Sequence, residues 1–128
     1  MSETILVTGA SAGFGQAICR RLVVDGYRVI GSARRIEKLQ ALQEELGEAF
    51  YPLQMDVTEL SQVDHALASL PKAWERVDVL VNNAGLALGL APAYEAEVAD
   101  WLTMIQTNIV GLTYLTRKIL PQMVERND

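Results

Sequence analysis

The sequence predicts an α/β fold built on a doubly wound parallel sheet, and three observations favour it. Short apolar runs alternate with segments of helical periodicity, in the order βαβαβαβ. The runs show little polar–apolar alternation, which is typical of parallel strands covered on both faces. A glycine-rich segment follows the first run and leads into the first helix. This order of elements implies a parallel sheet with right-handed crossovers, and for a doubly wound sheet we expect four strands in the order 3-2-1-4.

The predicted elements follow one another in short units. Strands are predicted over residues 4–8, 28–32, 50–55 and 77–82, and helices over residues 16–25, 36–46 and 60–70. Gly26 and Gly47 come just after the first two helices, where glycine commonly ends a helix. The third helix carries one apolar stripe, made of Val63, Ala66, Leu67 and Leu70. A loop rich in small residues, 83–92, precedes a long helical region over residues 95–125, in one piece or two.

Length and composition favour one ordinary globular domain over residues 1–128. Half of the residues are hydrophobic, 21% are charged and the net charge is −5. Arginines cluster only in the pairs Arg20-Arg21 and Arg34-Arg35, so we expect no nucleic-acid surface. The single cysteine, Cys19, cannot form an internal disulfide, and no apolar run approaches the roughly 20 residues that span a bilayer. We therefore expect a cytoplasmic protein without membrane contact.

The glycine-rich segment, T-G-A-S-A-G-F-G over residues 8–15, predicts a phosphate-binding turn. Glycine tolerates positive φ angles and lets the backbone approach a pyrophosphate without a Cβ in the way. The free N–H groups and the dipole of the following helix favour an anion there. Ser11 can add a hydroxyl donor. The alternative is a plain turn between a strand and a helix.

The second strand ends in Ser32-Ala33-Arg34-Arg35, at the place where such a sheet meets the adenosine ribose. An acid there would bind the ribose hydroxyls of NAD, but this segment carries two arginines. Guanidinium groups match a 2′-phosphate bidentately and keep their charge, which favours NADP. The alternative places both arginines on a solvated helix start.

Three motifs in this order and spacing give the chain a family resemblance. They are T-G-x-x-x-G-x-G over residues 8–15, N-N-A-G over residues 82–85, and Asn108 within I-Q-T-N-I-V-G. Together they resemble the short-chain dehydrogenase/reductase family, over the whole chain. The segments S-A-G-F-G, N-N-A-G-L-A-L-G and L-P-Q-M-V-E-R-N are similar to the NADP-dependent 3-hydroxy acid dehydrogenases of that family. Those enzymes oxidise serine- or threonine-type 3-hydroxy acids and reduce malonic semialdehyde.

The resemblance implies a Rossmann-type fold, NADP as cofactor, hydride transfer and a homo-oligomer. Asp56 would accept a hydrogen bond from the adenine amino group, although a turn or N-cap aspartate is an equal alternative. Asn108 would help to hold a relay water, where the alternative is an amide bonded to local backbone. The cofactor-binding set then contains Gly9, Ala10, Ser11, Ala12, Gly13, Phe14, Gly15, Arg34, Arg35, Asp56, Val57, Asn83, Ala84 and Gly85, with Asn108 as the catalytic residue.

The sequence departs from the family pattern in its length. Family chains are markedly longer, and their second half supplies a catalytic Ser and a Tyr-x-x-x-Lys pair, so we expect this chain to bind cofactor without turnover. A non-catalytic nucleotide-binding or oligomerisation fragment is the alternative. Tyr114 and Lys118 match Tyr-x-x-x-Lys by spacing, but we interpret them as a packed ring and a solvated amine. His65 is expected in solvent, and no metal site is expected.

Overall fold

The computed structural model describes residues 3–11, 13–83 and 98–125, and it contains a four-stranded parallel sheet. The strand order is β3-β2-β1-β4, as predicted. The strands are β1 (Thr4–Thr8), β2 (Arg28–Ala33), β3 (Phe50–Gln54) and β4 (Val79–Val81). The helices are α1 (Gly13–Val24), α2 (Ile36–Leu46), α3 (Leu60–Ala68), α4 (Val98–Ile105) and α5 (Leu112–Glu125). A π-helical turn, Gln106–Gly111, joins α4 to α5, so the long helical region is interrupted.

The register brings the ends of all four strands to common edges of the sheet. Thr4 pairs with Arg28 and Thr8 with Ser32 between β1 and β2, while Ile5 pairs with Val79 between β1 and β4. We call the side where the strands end the carboxyl edge; it comprises residues 9–11, 13–15, 34–35, 55–57 and 82–83. The opposite side, where the strands begin, is the amino edge; its side chains are Arg28, Tyr51, Trp74, Arg76 and Asp78.

Each face of the sheet covers its own hydrophobic core. Ile5 and Val7 of β1 pack on the side of α1 and α2, whereas Leu6 between them packs on the side of α3 and α5. This two-sided burial explains why the strands read as continuous apolar runs. Cys19 lies buried in the first core, where burial raises the pKa of its thiol to about 12. The predicted stripe of α3 is confirmed, because its four residues all pack in the second core.

Strand β3 ends one residue earlier than predicted, whereas β4 and α3 are shorter by two residues or more, which hydrogen bonds explain. The backbone N–H of Val77 donates to Gln122 Oε1 of α5 at 3.0 Å, so β4 begins only at Val79. At its other end, the backbone N–H of Asn83 turns back to Val81 O, at 3.0 Å. Helix α3 ends at Ala68, where the Ser69 hydroxyl donates to Ala66 O at 2.8 Å.

Other boundaries follow the prediction closely. Gly26 and Gly47 follow α1 and α2 with positive φ angles of 95° and 77°, as expected for glycines that end helices. Helix α1 begins at Gly13, three residues earlier than predicted, because the glycine-rich segment itself forms the first turn. None of the described helices is long and apolar enough to cross a membrane.

The amino edge is closed by contacts within the chain. The guanidinium of Arg28 lies 4.0 Å from the centroid of the Trp74 ring, and Tyr51 packs on the same ring at 5.6 Å. Asp78 accepts hydrogen bonds from the backbone N–H of Thr4, at 2.8 Å, and from Arg76 Nε, at 3.0 Å. The aromatic and charged groups at this edge therefore contact and bind one another.

Candidate functional site at the carboxyl edge

The turn between β1 and α1 has the backbone that the glycines predict. Gly9 and Gly13 have φ angles of 65° and 57°, in the left-handed region that glycine adopts without strain. A Cβ at Gly13 would meet no atom within 4 Å, so open space lies in front of the turn. Helix α1 starts at that point, and the N–H groups of its first turn have no partner within the helix. This turn can therefore cradle an anion.

Gly15 is required for packing rather than for its backbone angles. A Cβ at Gly15 would overlap the carbonyl oxygen of Gly9 and would lie 2.6 Å from Nδ2 of Asn83. The first turn of α1 thus rests directly on the backbone of the turn that precedes it. Any larger residue here would separate α1 from the end of β1.

Asn83 fastens the turn to the end of β4. Its side-chain Nδ2 donates to Gly9 O at 3.2 Å, and its backbone N–H donates to Thr8 Oγ1 at 3.0 Å. The Thr8 hydroxyl in turn reaches Val81 O at 3.4 Å. Thr8 was absent from the predicted site residues, although its place at the head of the motif T-G-x-x-x-G-x-G was an available signal.

The neighbouring amide ties the same strand end to a helix. Asn82 Nδ2 donates to Thr116 Oγ1 of α5 at 3.0 Å, and that hydroxyl donates to Leu112 O at 2.8 Å. Both asparagines of the N-N-A-G motif therefore brace the end of β4 against other parts of the chain.

The two arginines after β2 lie at the same edge and are exposed. Ala10 N donates to Ser32 O at 2.9 Å, so the glycine turn is bonded to the last part of β2, just before Arg34 and Arg35. Gln54 Nε2 donates to the backbone oxygen of Arg34 at 3.1 Å and fixes that peptide. Among residues 3–11, 13–83 and 98–125, neither guanidinium has a hydrogen-bond or ion-pair partner.

Asp56 forms the turn that follows β3. Its Oδ1 accepts from the backbone N–H of Thr58 at 2.9 Å and from the Thr58 hydroxyl at 2.6 Å. The expectation of a turn aspartate therefore holds, but the N-cap position of α3 is Glu59. Within the described part of the chain, Oδ2 of Asp56 has no hydrogen-bond partner, so the carboxylate keeps an acceptor for a ligand.

Asn108 lies in the π-helical turn, a form that occurs often at functional sites. Its side chain is outside the described part of the structure. Gly111 is the last residue of this turn and packs against the segment that follows β3, because a Cβ at Gly111 would overlap the carbonyl oxygen of Val57. The segment that carries Asn108 is thus packed on the segment that carries Asp56 and Val57.

Tyr114 and Lys118 meet Asp64 of α3, not the carboxyl edge. The Tyr114 hydroxyl donates to both carboxylate oxygens of Asp64 at 2.9 Å, and Lys118 Nζ lies 3.2 Å from Oδ1. The hydrogen bond to Asp64, together with burial, raises the pKa of Tyr114. The Tyr114 ring packs against the core and Lys118 is exposed, both as expected, and the structure adds an ion pair between Lys118 and Asp64.

The remaining predicted residues differ in how they are placed. Ala10 is buried and Ser11 is half-buried, whereas the Phe14 side chain is 83% exposed beside the turn. Ala12, Ala84 and Gly85 lie outside the described residues. His65 is exposed, and the described residues contain no group of three or more histidines, cysteines and carboxylates that could hold a metal.

The carboxyl edge has the shape and charge that a dinucleotide with an extra phosphate requires. The glycine turn offers N–H groups and, at Gly13, open space for a pyrophosphate, and Gly15 lets the first turn of α1 pack on Gly9 and Asn83. Arg34 and Arg35 offer two exposed guanidinium groups beside that turn. The residues present at this edge therefore fit NADP.

The sequence matches a known family over nearly its whole length. Residues 3–128 match the family model described as short chain dehydrogenase. The chain is 58% identical over 123 residues to the NADP-dependent 3-hydroxy acid dehydrogenase YdfG of Salmonella typhi, which covers 96% of this chain and 50% of that protein. It is 51% identical over 126 residues to the serine 3-dehydrogenase of Agrobacterium fabrum, which covers 98% of this chain and 51% of that protein.

Two solved structures of serine dehydrogenase are also similar to this chain over nearly its whole length. The serine dehydrogenase from Escherichia coli is similar with a TM-score of 0.93 at 55% identity, over 97% of this chain and 57% of that one. The closed form of serine dehydrogenase complexed with NADP⁺ is similar with a TM-score of 0.94 at 55% identity, over 97% of this chain and 50% of that one. The chain spans about half the length of the curated relatives it matches.

Proposed function

The chain belongs to the short-chain dehydrogenase family, and we propose that its carboxyl edge binds NADP as the cofactor of an oxidoreductase. The proposed reaction transfers a hydride between NADP and a short 3-hydroxy acid or the corresponding carbonyl compound. The names of the relatives, a 3-hydroxy acid dehydrogenase and a serine 3-dehydrogenase, support this substrate class. Residues 1–128 would act as one NADP-binding domain.

The observation that carries the proposal is the pair of exposed arginines beside the glycine turn. Arg34 and Arg35 follow β2 directly, and the Ala10–Ser32 hydrogen bond holds the turn next to them. A guanidinium keeps its charge and binds a phosphate through two parallel N–H donors. We therefore assign the 2′-phosphate of NADP to these two residues.

The pyrophosphate is assigned to the turn itself. Helix α1 begins at Gly13, where a Cβ would meet no atom within 4 Å, and the free N–H groups and dipole of a helix start favour an anion there. Ser11 is half-buried in the same turn and supplies a hydroxyl donor. Ala10, Ala12, Phe14 and Gly15 belong to the proposed binding segment, with Gly15 acting by the absence of a side chain.

The adenosine part is assigned to the exits of β3 and β4. Oδ2 of Asp56 remains available to accept a hydrogen bond from the adenine amino group, because the Asx turn uses only Oδ1. Val57 supplies apolar contact beside it. At the end of β4 we assign Asn83, Ala84 and Gly85 to the adenosine side, with Asn83 acting chiefly by holding Gly9 in place.

The residues that would act in the chemistry are few within this chain. When bound, NADP supplies the nicotinamide carbon that donates or accepts the hydride. We propose that Asn108, in the π-helical turn, holds a water that relays a proton. Tyr114 is not proposed as the proton donor, since a hydrogen bond to Asp64 raises its pKa and commits its hydroxyl. A general acid of this kind needs a pKa closer to neutrality.

We further propose a cytoplasmic homo-oligomer. The single buried cysteine suits a reducing compartment. Exposed apolar side chains at helical spacing run along α4 and the π-helical turn, namely Val98, Leu102, Ile105 and Ile109. Contiguous apolar surface of this kind commonly marks an interface.

A titration of the chain with NADPH and with NADH tests the proposal. Nucleotide fluorescence reports binding directly and requires no turnover. We expect NADPH to bind at least about tenfold more tightly than NADH, which corresponds to about 1.4 kcal/mol. Equal affinities would overturn the assignment of Arg34 and Arg35, and failure of both nucleotides to bind would overturn the proposed function.

A further inference from the structure

Gly31 stands in the middle of β2, where the ring of Phe50 occupies the space of its missing side chain. A Cβ at Gly31 would collide with the edge of that ring. The φ angle of Gly31 is not in the left-handed region, so backbone conformation does not require a glycine here. Phe50 is 1% exposed and packs in the core between the sheet and helices α1 and α2. The glycine is therefore needed for space.

The same space reaches the glycine turn through Ala10. A Cβ at Gly31 would lie 3.0 Å from the Cβ of Ala10, which is closer than such atoms normally approach. Ala10 is completely buried in the same core as Phe50, and its backbone N–H donates to Ser32 O at 2.9 Å. Among the described residues of the turn, 9–11 and 13–15, Ala10 is thus the one whose side chain packs in this core. We call these three residues the Gly31–Phe50–Ala10 stack.

We propose that the Gly31–Phe50–Ala10 stack sets the position of the phosphate-binding turn, which makes Gly31 and Phe50 positioning residues for the cofactor. This inference rests on the proposed function. The Phe50 ring and the Ala10 side chain pack in the same core and both border the space at Gly31, and Ala10 lies between Gly9 and Ser11 in the turn. Any displacement of Ala10 redirects the N–H groups that would face the pyrophosphate.

A methyl group added at Gly31 displaces both the ring and the turn, because the new Cβ would overlap the edge of the Phe50 ring and would lie 3.0 Å from the Cβ of Ala10. Protein cores are close-packed, so an added methyl group must displace a neighbour. Phe50 is held by the surrounding core, which includes Leu39 and Leu42 of α2. Ala10 lies at the edge of the sheet, where one backbone hydrogen bond to Ser32 holds it. A methyl group at Gly31 therefore moves the turn as well as the ring.

The test compares Gly31→Ala with a control on the same strand. Ile30, the preceding residue of β2, packs in the other core, so Ile30→Val weakens the protein without touching the stack. We expect Gly31→Ala to weaken NADPH binding about tenfold, while Ile30→Val leaves the affinity unchanged. Adding Phe50→Leu to Gly31→Ala removes the ring edge and restores most of the affinity. Equal loss in the control, or no rescue, would overturn the proposal.

A second readout needs no cofactor and separates this proposal from the proposed function. Amide hydrogen exchange of Ala10 reports the hydrogen bond to Ser32 in the free chain. We expect faster exchange at Ala10 in Gly31→Ala, and unchanged exchange in Ile30→Val. If NADPH fails to bind the unmodified chain while Ala10 exchange still responds, the stack positions the turn and the proposed function is wrong. Unchanged Ala10 exchange contradicts the stack itself.

Because Gly31→Ala can prevent folding, Phe50→Leu alone provides an independent variant. Loss of the ring opens the space that Ala10 borders and creates no clash. We expect a smaller loss of NADPH affinity and faster Ala10 exchange in the same direction as in Gly31→Ala. Native-like affinity and exchange in a folded Phe50→Leu protein would show that the ring does not position the turn.

Discussion

The two edges of the sheet are built from the same strands, yet they treat polar groups in opposite ways. At the amino edge, Arg28 lies on Trp74 and Asp78 binds both Thr4 and Arg76. At the carboxyl edge, Arg34 and Arg35 extend from the surface, and no described residue pairs with either guanidinium. The charged groups of the amino edge thus bind other groups of the chain, whereas the two guanidinium groups of the carboxyl edge can bind the proposed cofactor.

The direction of the strands explains part of this difference. In parallel sheets, the carboxyl ends of the strands and the amino ends of the following helices meet at one edge, and ligands bind there. The rest of the difference lies in individual residues. Asn83, Thr8 and Gly15 hold the turn open and fixed, whereas Trp74 and Tyr51 cover the opposite edge.

A substitution that adds a side chain at Gly15 should weaken cofactor binding at the carboxyl edge more than any other. In Gly15→Ala the new methyl group collides with the Gly9 carbonyl and presses on Asn83 Nδ2. Overpacking of this kind typically costs 1–3 kcal/mol. We expect NADPH affinity to fall by about a hundredfold, or about 2.8 kcal/mol, as measured by fluorescence titration.

Gly26→Ala is the matched control for that experiment. Gly26 has a φ angle of 95°, and a Cβ there would meet no atom within 4 Å, at a site away from the carboxyl edge. The backbone strain should lower the free energy of unfolding by about 1 kcal/mol. NADPH affinity should stay unchanged, and a comparable loss of affinity would mean that Gly15 acts only through stability.

Substitution of the arginines at each edge should distinguish the two edges by their effect on cofactor binding. Hydrogen bonds to charged groups contribute about 1.5–3 kcal/mol, so Arg34→Ala combined with Arg35→Ala should weaken NADPH binding about tenfold to a hundredfold. NADH binding should change little, because NADH lacks the 2′-phosphate. Arg28→Ala serves as the control: it removes the contact with Trp74 and should lower stability without altering the preference between the two nucleotides.

Thr8→Val should loosen the carboxyl edge more mildly. The substitution keeps the shape but removes the hydroxyl that accepts from the Asn83 backbone N–H. We expect a loss of about 1 kcal/mol in the free energy of unfolding and several-fold weaker NADPH binding. Thr116→Val, which removes the hydroxyl that binds Asn82, should leave NADPH binding unaltered. Equal effects of the two substitutions would argue against a special role for the Thr8–Asn83 contact.

The cluster of Asp64, Tyr114 and Lys118 should show the smallest effect, and only in the pH dependence of stability. The hydrogen bond from Tyr114 and the amine of Lys118 lower the pKa of Asp64 in the folded chain. Its contribution is therefore present above the unfolded pKa of about 3.9 and is lost as the pH falls through the lower, folded value. Asp64→Asn should reduce the melting temperature slightly at neutral pH and converge with the unmodified chain in acid.

At the alkaline side the sign is reversed. The pKa of Tyr114 is raised in the folded chain, so its hydrogen bond stabilises the protein below the unfolded pKa of about 10. That contribution is lost as the pH rises through the folded value, and Tyr114→Phe should remove this dependence. NADPH affinity should not respond to Tyr114→Phe, and a marked loss of binding would place this pair in the cofactor site.

Much of the fold follows from the sequence because the strands are buried on both faces. The alternation of apolar runs with helical segments predicts the doubly wound parallel sheet and its strand order, and the glycines mark the turn and the helix ends. The start of β4 was harder to predict, since it depends on Gln122, which lies 45 residues further along the chain from Val77. Periodicity along the chain carries no information about such a side-chain contact.

The sequence predicted which residues lie at the site more readily than it predicted what each of them contacts. Arg34 and Arg35 are exposed at the expected edge, and Asp56 forms the turn that was one of its two expected roles. The function of Gly15 as a packing surface for Gly9 and Asn83 needed the structure, because a glycine in a motif does not reveal what approaches it. The ion pair of Lys118 with Asp64 likewise depends on how α3 and α5 pack.

An amide NMR titration of the chain with NADPH tests the central claim most directly, because it reports on both edges in one experiment. The account predicts the largest shifts at residues 9–15 and 34–35, with smaller shifts at residues 56–57 and Asn83. The amides of Thr4, Trp74 and Asp78 at the amino edge should remain unmoved. Shifts centred on the amino edge, or no shifts at saturating NADPH, would contradict the claim that the carboxyl edge is the cofactor site.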